Sequence, residues 1–142
     1  MDHFIYRNGI LHAEDVAITE IAAAVGTPFY VYSQATLTRH FRVFDEALNG
    51  MNHLICYAMK ANSNIAILKI LGDLGAGMDV VSGGEYLRAK AAASMEAIDV
   101  VGIDVHIGSQ LTDLEPFRLA YKKVAELTKV LRQDGHNIRR LD

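Results

Sequence analysis

Leu54-Ile55-Cys56-Tyr57-Ala58-Met59-Lys60-Ala61-Asn62 is the stretch on which the fold turns. Its first six residues are apolar without a break. That run is too short for a helix and lacks the in-out alternation of a half-exposed strand, so it reads as a strand buried on both faces, as in parallel sheets. The lysine follows at once. Downstream, Ile65, Leu68, Leu71 and Leu74 recur at helical spacing within 62–74, and Gly75 stops that helix. Gly77 to Val81 reads as a second strand, Ser82 to Lys90 as a helix and Val100 to Ile107 as a third strand. Leu114 to Asp134 reads as a long helix with Phe117, Tyr121, Val124, Leu127 and Leu131 facing inward. Strands alternating with helices imply parallel strands covered by helices. The class is therefore α/β, either a doubly wound sheet or a piece of a (β/α)8 barrel.

Upstream of the deciding stretch, residues 4–12 read as two short β segments around Asn8-Gly9, a dipeptide that accepts the positive φ angles of a tight hairpin. Phe29 to Tyr32 form a β-rich run after Pro28. Ser33 reads as a helix cap, followed by Leu37, Phe41, Phe44 and Leu48 on one stripe of a helix ending near Gly50.

The 142 residues, half of them hydrophobic, carry a net charge of −3 with basic residues scattered, which argues against nucleic acid or an anionic membrane as partner. A small molecule is the expected ligand. Cys56, the single cysteine, lies in the apolar run and reads as a buried, reduced thiol, which points to the cytoplasm. No apolar stretch is long enough for a signal peptide's core or a bilayer span.

In parallel α/β proteins polar groups gather beyond the C-terminal ends of the strands. Three motifs fall there. Lys60 ends the first strand; most lysines are solvated surface groups, but one partly withdrawn from water can react as a neutral amine with an aldehyde cofactor. In Met78-Asp79-Val80-Val81-Ser82-Gly83-Gly84-Glu85, Ser82 and Glu85 fit a helix capping box, whereas Asp79 within an apolar strand calls for a cationic partner, with Lys60 the nearest candidate. In His106-Ile107-Gly108-Ser109-Gln110, a flat imidazole precedes a small turn whose amides and hydroxyl suit an anionic oxygen, although His106 alone would more often be structural. The six histidines are dispersed, so no metal site is expected. The phosphate loop, the Rossmann fingerprint and the nucleophile elbow are all missing.

At these three motifs, in this order, the chain resembles the diaminopimelate decarboxylases, within the barrel-type pyridoxal-phosphate enzymes that include ornithine and arginine decarboxylases and alanine racemase. Phe4-Ile5-Tyr6-Arg7-Asn8-Gly9-Ile10-Leu11 and Gly26-Thr27-Pro28-Phe29-Tyr30-Val31-Tyr32 are also similar to this branch. The resemblance implies a partial (β/α)8 TIM barrel of the alanine racemase type. Residues 34–142 would form the pyridoxal 5'-phosphate-binding part, and 1–33 a β segment packing with a second β-domain. It implies that Lys60 bonds the cofactor's aldehyde, with Asp79 beside it, His106 stacked on the ring and Ser109 on the phosphate; Ala58 and Glu85 would stand behind them. The implied reaction removes carbon dioxide from meso-diaminopimelate to leave L-lysine, in a cytoplasmic homodimer. Another amino-acid decarboxylase or racemase, or a cofactor-binding remnant without activity, is the alternative.

The chain also departs from that pattern. A complete barrel takes about 250 residues, and near 90–99 the sequence passes from the second motif's helix almost directly to the strand before His106, where the family has several more β/α units. An internal segment is expected to be missing there. The sequence also stops at Leu141-Asp142, where the family continues, so the chain is expected to be an incomplete piece of the enzyme.

Overall fold

The computed structural model describes residues 2–93 and 99–141. They fall into two compact units, Met1–Met95 and Glu96–Asp142. The 94–98 part of the expected join lies outside the described residues.

The first unit opens with β1 (Phe4–Arg7) and β2 (Ile10–Ala13), which pair antiparallel with Tyr6 opposite Leu11 and Arg7 opposite Ile10. Asn8 and Gly9 both take positive φ, 50° and 79°, as the hairpin reading requires. A third strand, β3 (Val16–Ala17), adds to β2, and α1 (Ile18–Val25) follows it. Neither was read from sequence. Phe29 to Tyr32 do not form a strand. Among the described residues they make no ladder with another segment, and β propensity without a partner leaves an extended loop.

The next helix, α2 (Gln34–Ala47), starts as expected, with the Ser33 hydroxyl accepting the Thr36 N–H at 3.0 Å. The Glu14 carboxylate reinforces it, accepting from the Ser33 hydroxyl at 2.7 Å and from the Ala35 N–H at 2.9 Å. These hydrogen bonds, the Ala35 amide first and Ser33 second, hold the Glu14 carboxyl below its ordinary pKa. The apolar stripe of α2 stays largely uncovered, Phe44 being 56% exposed. An amphipathic helix buries its stripe only where a second layer lies on it, and no residue of α2 is buried.

Then come β4 (Cys56–Ala58), α3 (Ile65–Asp73), β5 (Gly77–Asp79) and α4 (Gly83–Ala93). The strands run parallel with Cys56 opposite Gly77. The core of the unit lies where α3 packs on α4: Ile67, Leu68, Leu71, Ala89 and Ala92 are buried, and Leu68 is fully enclosed. Enclosing a leucine of this kind contributes about 1.5–3 kcal/mol. Two expectations fail here. Ile65, placed on the inward stripe, is exposed, because the buried stripe passes through Ile67 instead. Cys56 is exposed rather than buried, and so is Leu54, because within this unit the described residues put no layer over that face of the strand pair.

The second unit holds β6 (Gly102–Ile103), α5 (Glu115–Gln133) and β7 (Arg140–Leu141). β6 and β7 are parallel, Gly102 opposite Arg140. Val124 and Thr128 of α5 are buried with Ile138, while Tyr121 and Leu127, expected inward, are exposed on the flanks of that stripe. Arg132 closes the helix end by donating from Nε and Nη2 to the Ile138 carbonyl at 3.0 and 2.6 Å. No helix among the described residues is long and apolar enough to cross a membrane.

Candidate cofactor site

Lys60 sits in the turn that leaves β4. The ladder of β4 and β5 sets Tyr57 opposite Met78 and Ala58 opposite Asp79. One further bond, from the Met59 N–H to the Asp79 carbonyl at 3.1 Å, carries the pairing a residue beyond the strand. The Met59 side chain is 1% exposed and anchors the backbone just before the lysine. The Ala61 N–H then bonds the Ala58 carbonyl at 3.1 Å, turning the chain so that Lys60 emerges exposed. Asp79 ends β5 and is half-buried. An amine and a carboxylate thus stand at the C-terminal ends of two paired parallel strands, the end where such sheets collect their chemistry.

The two are not ion-paired. Among the described residues the ion pairs are Arg7 with Asp15, His53 with Asp45, Lys69 with Asp73, Arg118 with Glu115 and Arg139 with Asp99. The expected Lys60 partner for Asp79 is therefore corrected. A carboxylate needs a counter-charge when it is withdrawn from water, and Asp79 at its strand end keeps contact with solvent.

The loop after Lys60 is held by side chains. The Tyr57 hydroxyl donates to the Asn62 carbonyl at 3.3 Å. Burial, and after it the neighbouring Tyr32, raises the Tyr57 pKa above its usual value. The Asn62 side-chain oxygen accepts from the Asn64 N–H at 2.9 Å, and the Asn64 side chain caps α3 through the Ala66 N–H at 2.9 Å. Arg88, on α4, donates from Nη1 to the Ser63 hydroxyl at 2.6 Å. Sequence reading missed Arg88 and Ser63, since nothing in one dimension links positions 25 residues apart.

Glu85 follows its structural reading: its N–H bonds the Ser82 hydroxyl at 3.3 Å, and its carboxylate accepts the Val81 N–H at 2.8 Å, closing the start of α4.

His106 and Ser109 lie in the second unit, both exposed. The strand expected over 100–107 shrinks to Gly102–Ile103, because β7 offers only two residues to pair with. His106 consequently stands in the loop beyond the strand rather than at its end. Gln110 in that loop has a φ of +87°, an uncommon conformation for a residue with a side chain. So Ala58, Lys60 and Asp79 share one strand pair, and His106 and Ser109 share one loop.

An open groove of about 560 Å³ runs along α2, lined by Glu14, Gln34, Thr38, Arg39, Arg42 and Glu46 among others, and Lys60 is not part of its wall. No cluster of three or more metal-ligating side chains occurs among the described residues.

The sequence matches the family described as pyridoxal-dependent decarboxylase, pyridoxal binding domain, in two overlapping pieces, residues 34–95 and 86–142. The diaminopimelate decarboxylase of Pseudomonas fluorescens is 55% identical over 92 residues, 65% of this chain and 22% of that one. The diaminopimelate decarboxylase of Pseudomonas aeruginosa is 30% identical over 235 positions, spanning all of this chain and 57% of the relative. Since the chain has 142 residues, that relative carries a long stretch with no counterpart here. The crystal structure of AQ1208 from Aquifex aeolicus matches 99% of this chain and 54% of its own, with a TM-score of 0.63 and 29% identity. The chain thus spans between about a fifth and just over half of these proteins' lengths.

Proposed function

From the premise that the chain belongs to the pyridoxal-dependent decarboxylases and is part of their (β/α)8 barrel, we propose that it is a portion of a diaminopimelate decarboxylase. The reaction would release carbon dioxide from meso-diaminopimelate and leave L-lysine. The observation that carries this reading is the place of Lys60 at the end of β4, beside the strand that ends on Asp79; the lysine is exposed rather than partly withdrawn from water as expected, so its position and not its burial marks it.

The residues fit pyridoxal 5'-phosphate by their chemistry. When bound, that group supplies an aldehyde for an amine and a conjugated ring that accepts the electrons freed as the C–C bond breaks. Lys60 would hold it covalently and yield its place to the substrate's amine. Asp79 at the paired strand end would attract and orient cationic groups, with Ala58 as the small floor between them. The exposed imidazole of His106 suits the face of a flat ring, and the Ser109 hydroxyl suits a phosphate oxygen. Glu85 acts behind them by holding the Val81 backbone.

We read residues 1–33 as a segment that packs with a further β-domain, and 34–142 as barrel joined across a missing stretch near 90–99. The overlap of the two family matches at 86–95 and the longer alignment to the Pseudomonas aeruginosa relative support that join. The working enzyme would be a cytoplasmic homodimer acting on a free amino acid. The missing stretch also favours a second reading, a cofactor-binding remnant without activity.

The test is to incubate the purified chain with pyridoxal phosphate, reduce with borohydride and measure intact mass and peptide map. One adduct on Lys60, abolished by Lys60→Ala with the fold retained, is the expected result. No adduct, or an adduct spread over surface lysines, would refute the assignment. Carbon dioxide release from meso-diaminopimelate then separates the enzyme from the remnant.

A further inference from the structure

We propose that Arg88 is a positioning residue for Lys60, acting through Ser63 to fix the loop on which the amine is presented. The inference rests on the reading of Lys60 as the cofactor lysine.

The β4–α3 loop is short and has three attachments. Its start is fixed by the buried Met59 and the Met59-to-Asp79 ladder bond. Its end is fixed by the Asn64 cap on α3. Between them the loop would swing on local contacts alone, since the Tyr57 hydroxyl and the Asn62 side chain both bond within a few residues. The Arg88 guanidinium provides the distant attachment. It reaches from the second turn of α4 to the Ser63 hydroxyl, three residues past the lysine, at 2.6 Å. Among the described residues Arg88 makes no ion pair, and its side-chain bond there goes to this loop. Because α4 packs on α3 and starts four residues beyond Asp79, the bond ties the Lys60 loop to the element that follows the strand paired with β4. A guanidinium suits this use because it stays charged and its planar donors hold a fixed direction. A lysine in its place would keep the charge and lose the geometry.

The experiment uses the full chain with Arg88→Ala, Arg88→Lys, Ser63→Ala, Ser63→Thr and the Arg88→Ala/Ser63→Ala double variant. Two quantities are read: amide hydrogen exchange of the peptide spanning 60–64, without cofactor, and the initial rate of the borohydride-trapped pyridoxal phosphate adduct at Lys60, relative to Lys69. Losing one hydrogen bond of ordinary net strength, as expected where the charged donor is exposed to water, corresponds to about a fivefold change. Arg88→Ala and Ser63→Ala are each expected to raise exchange and lower the Lys60 rate by about that factor. The double variant should be no worse than either single one, and Ser63→Thr, which keeps the hydroxyl, should behave as the parent. Arg88→Lys should fall with Arg88→Ala. Additive losses, unchanged exchange, or a looser loop with an unchanged Lys60 rate would each overturn the proposal. If the parent itself forms no Lys60 adduct, the cofactor reading fails and takes the positioning role with it. A parent that labels normally alongside variants that label equally well overturns the role of Arg88 alone.

Discussion

Replacing Gly77 by alanine should crowd the two strands that carry the site and lower stability. A Cβ built at Gly77 would lie 2.8 Å from the Cys56 Sγ on the facing strand and 3.3 Å from a Leu54 methyl. Ordinary contact distances between such atoms are about 3.5–4.0 Å, so the new methyl overlaps the sulfur by most of an ångström. Relief comes from turning the exposed Cys56 and Leu54 side chains or from a small separation of the strands. Where the side chains do not turn far enough, the strands give at the Cys56–Gly77 pair, two residues before the Ala58–Asp79 pair. Overpacking of this kind costs about 1–3 kcal/mol, which at a urea dependence of about 1–3 kcal/mol per molar moves the unfolding midpoint down by roughly 1 M. The assay is urea unfolding followed by circular dichroism, on the parent, Gly77→Ala, Cys56→Ala and the double variant. Removing the sulfur should restore most of the loss, so the double variant should be more stable than Gly77→Ala alone. Equal midpoints for the parent and Gly77→Ala would refute the reasoning, as would a double variant no better than Gly77→Ala.

Three further outcomes follow from the same contacts. Leu68→Ala, at a fully enclosed position between α3 and α4, should cost about 2–5 kcal/mol, seen as a lower thermal midpoint; a loss within error would show that the site collapses around the gap. Glu14, whose folded pKa lies below its usual value near 4.5, contributes stability above that pH and loses it as pH falls through the depressed folded value. Stability of the parent relative to Glu14→Gln should therefore narrow on acidification below pH 4.5, and a constant difference from pH 7 to 3 would refute the role of its carboxylate at α2. Lys60→Ala should remove the reducible cofactor adduct while leaving the circular dichroism spectrum unchanged; a persistent single-site adduct would move the assignment to another amine.

How much was legible in one dimension depended on the range of the forces involved. The hairpin at Asn8-Gly9, the Ser33 cap and the Ser82–Glu85 capping box are local, closed within a few residues, and each was readable. The alternation of strand and helix from Leu54 onward was readable because periodicity survives without its partners. It also placed Lys60 and Asp79 at strand ends. What failed did so for want of neighbours. Cys56, Ile65, Phe44, Tyr121 and Leu127 have the residue types of a core yet are exposed, since burial belongs to the layer that covers a residue and not to the residue.

The sequence by itself determined the α/β class, the order of the three motifs and the kinship they carry. Only the tertiary structure decided the register in which β4 and β5 pair, that no ion pair joins Lys60 to Asp79, and that Arg88 reaches the lysine's loop. Strand pairing, solvent access and a hydrogen bond across 25 residues exist only once the chain has closed its loops, and no local propensity encodes which distant segment will be met.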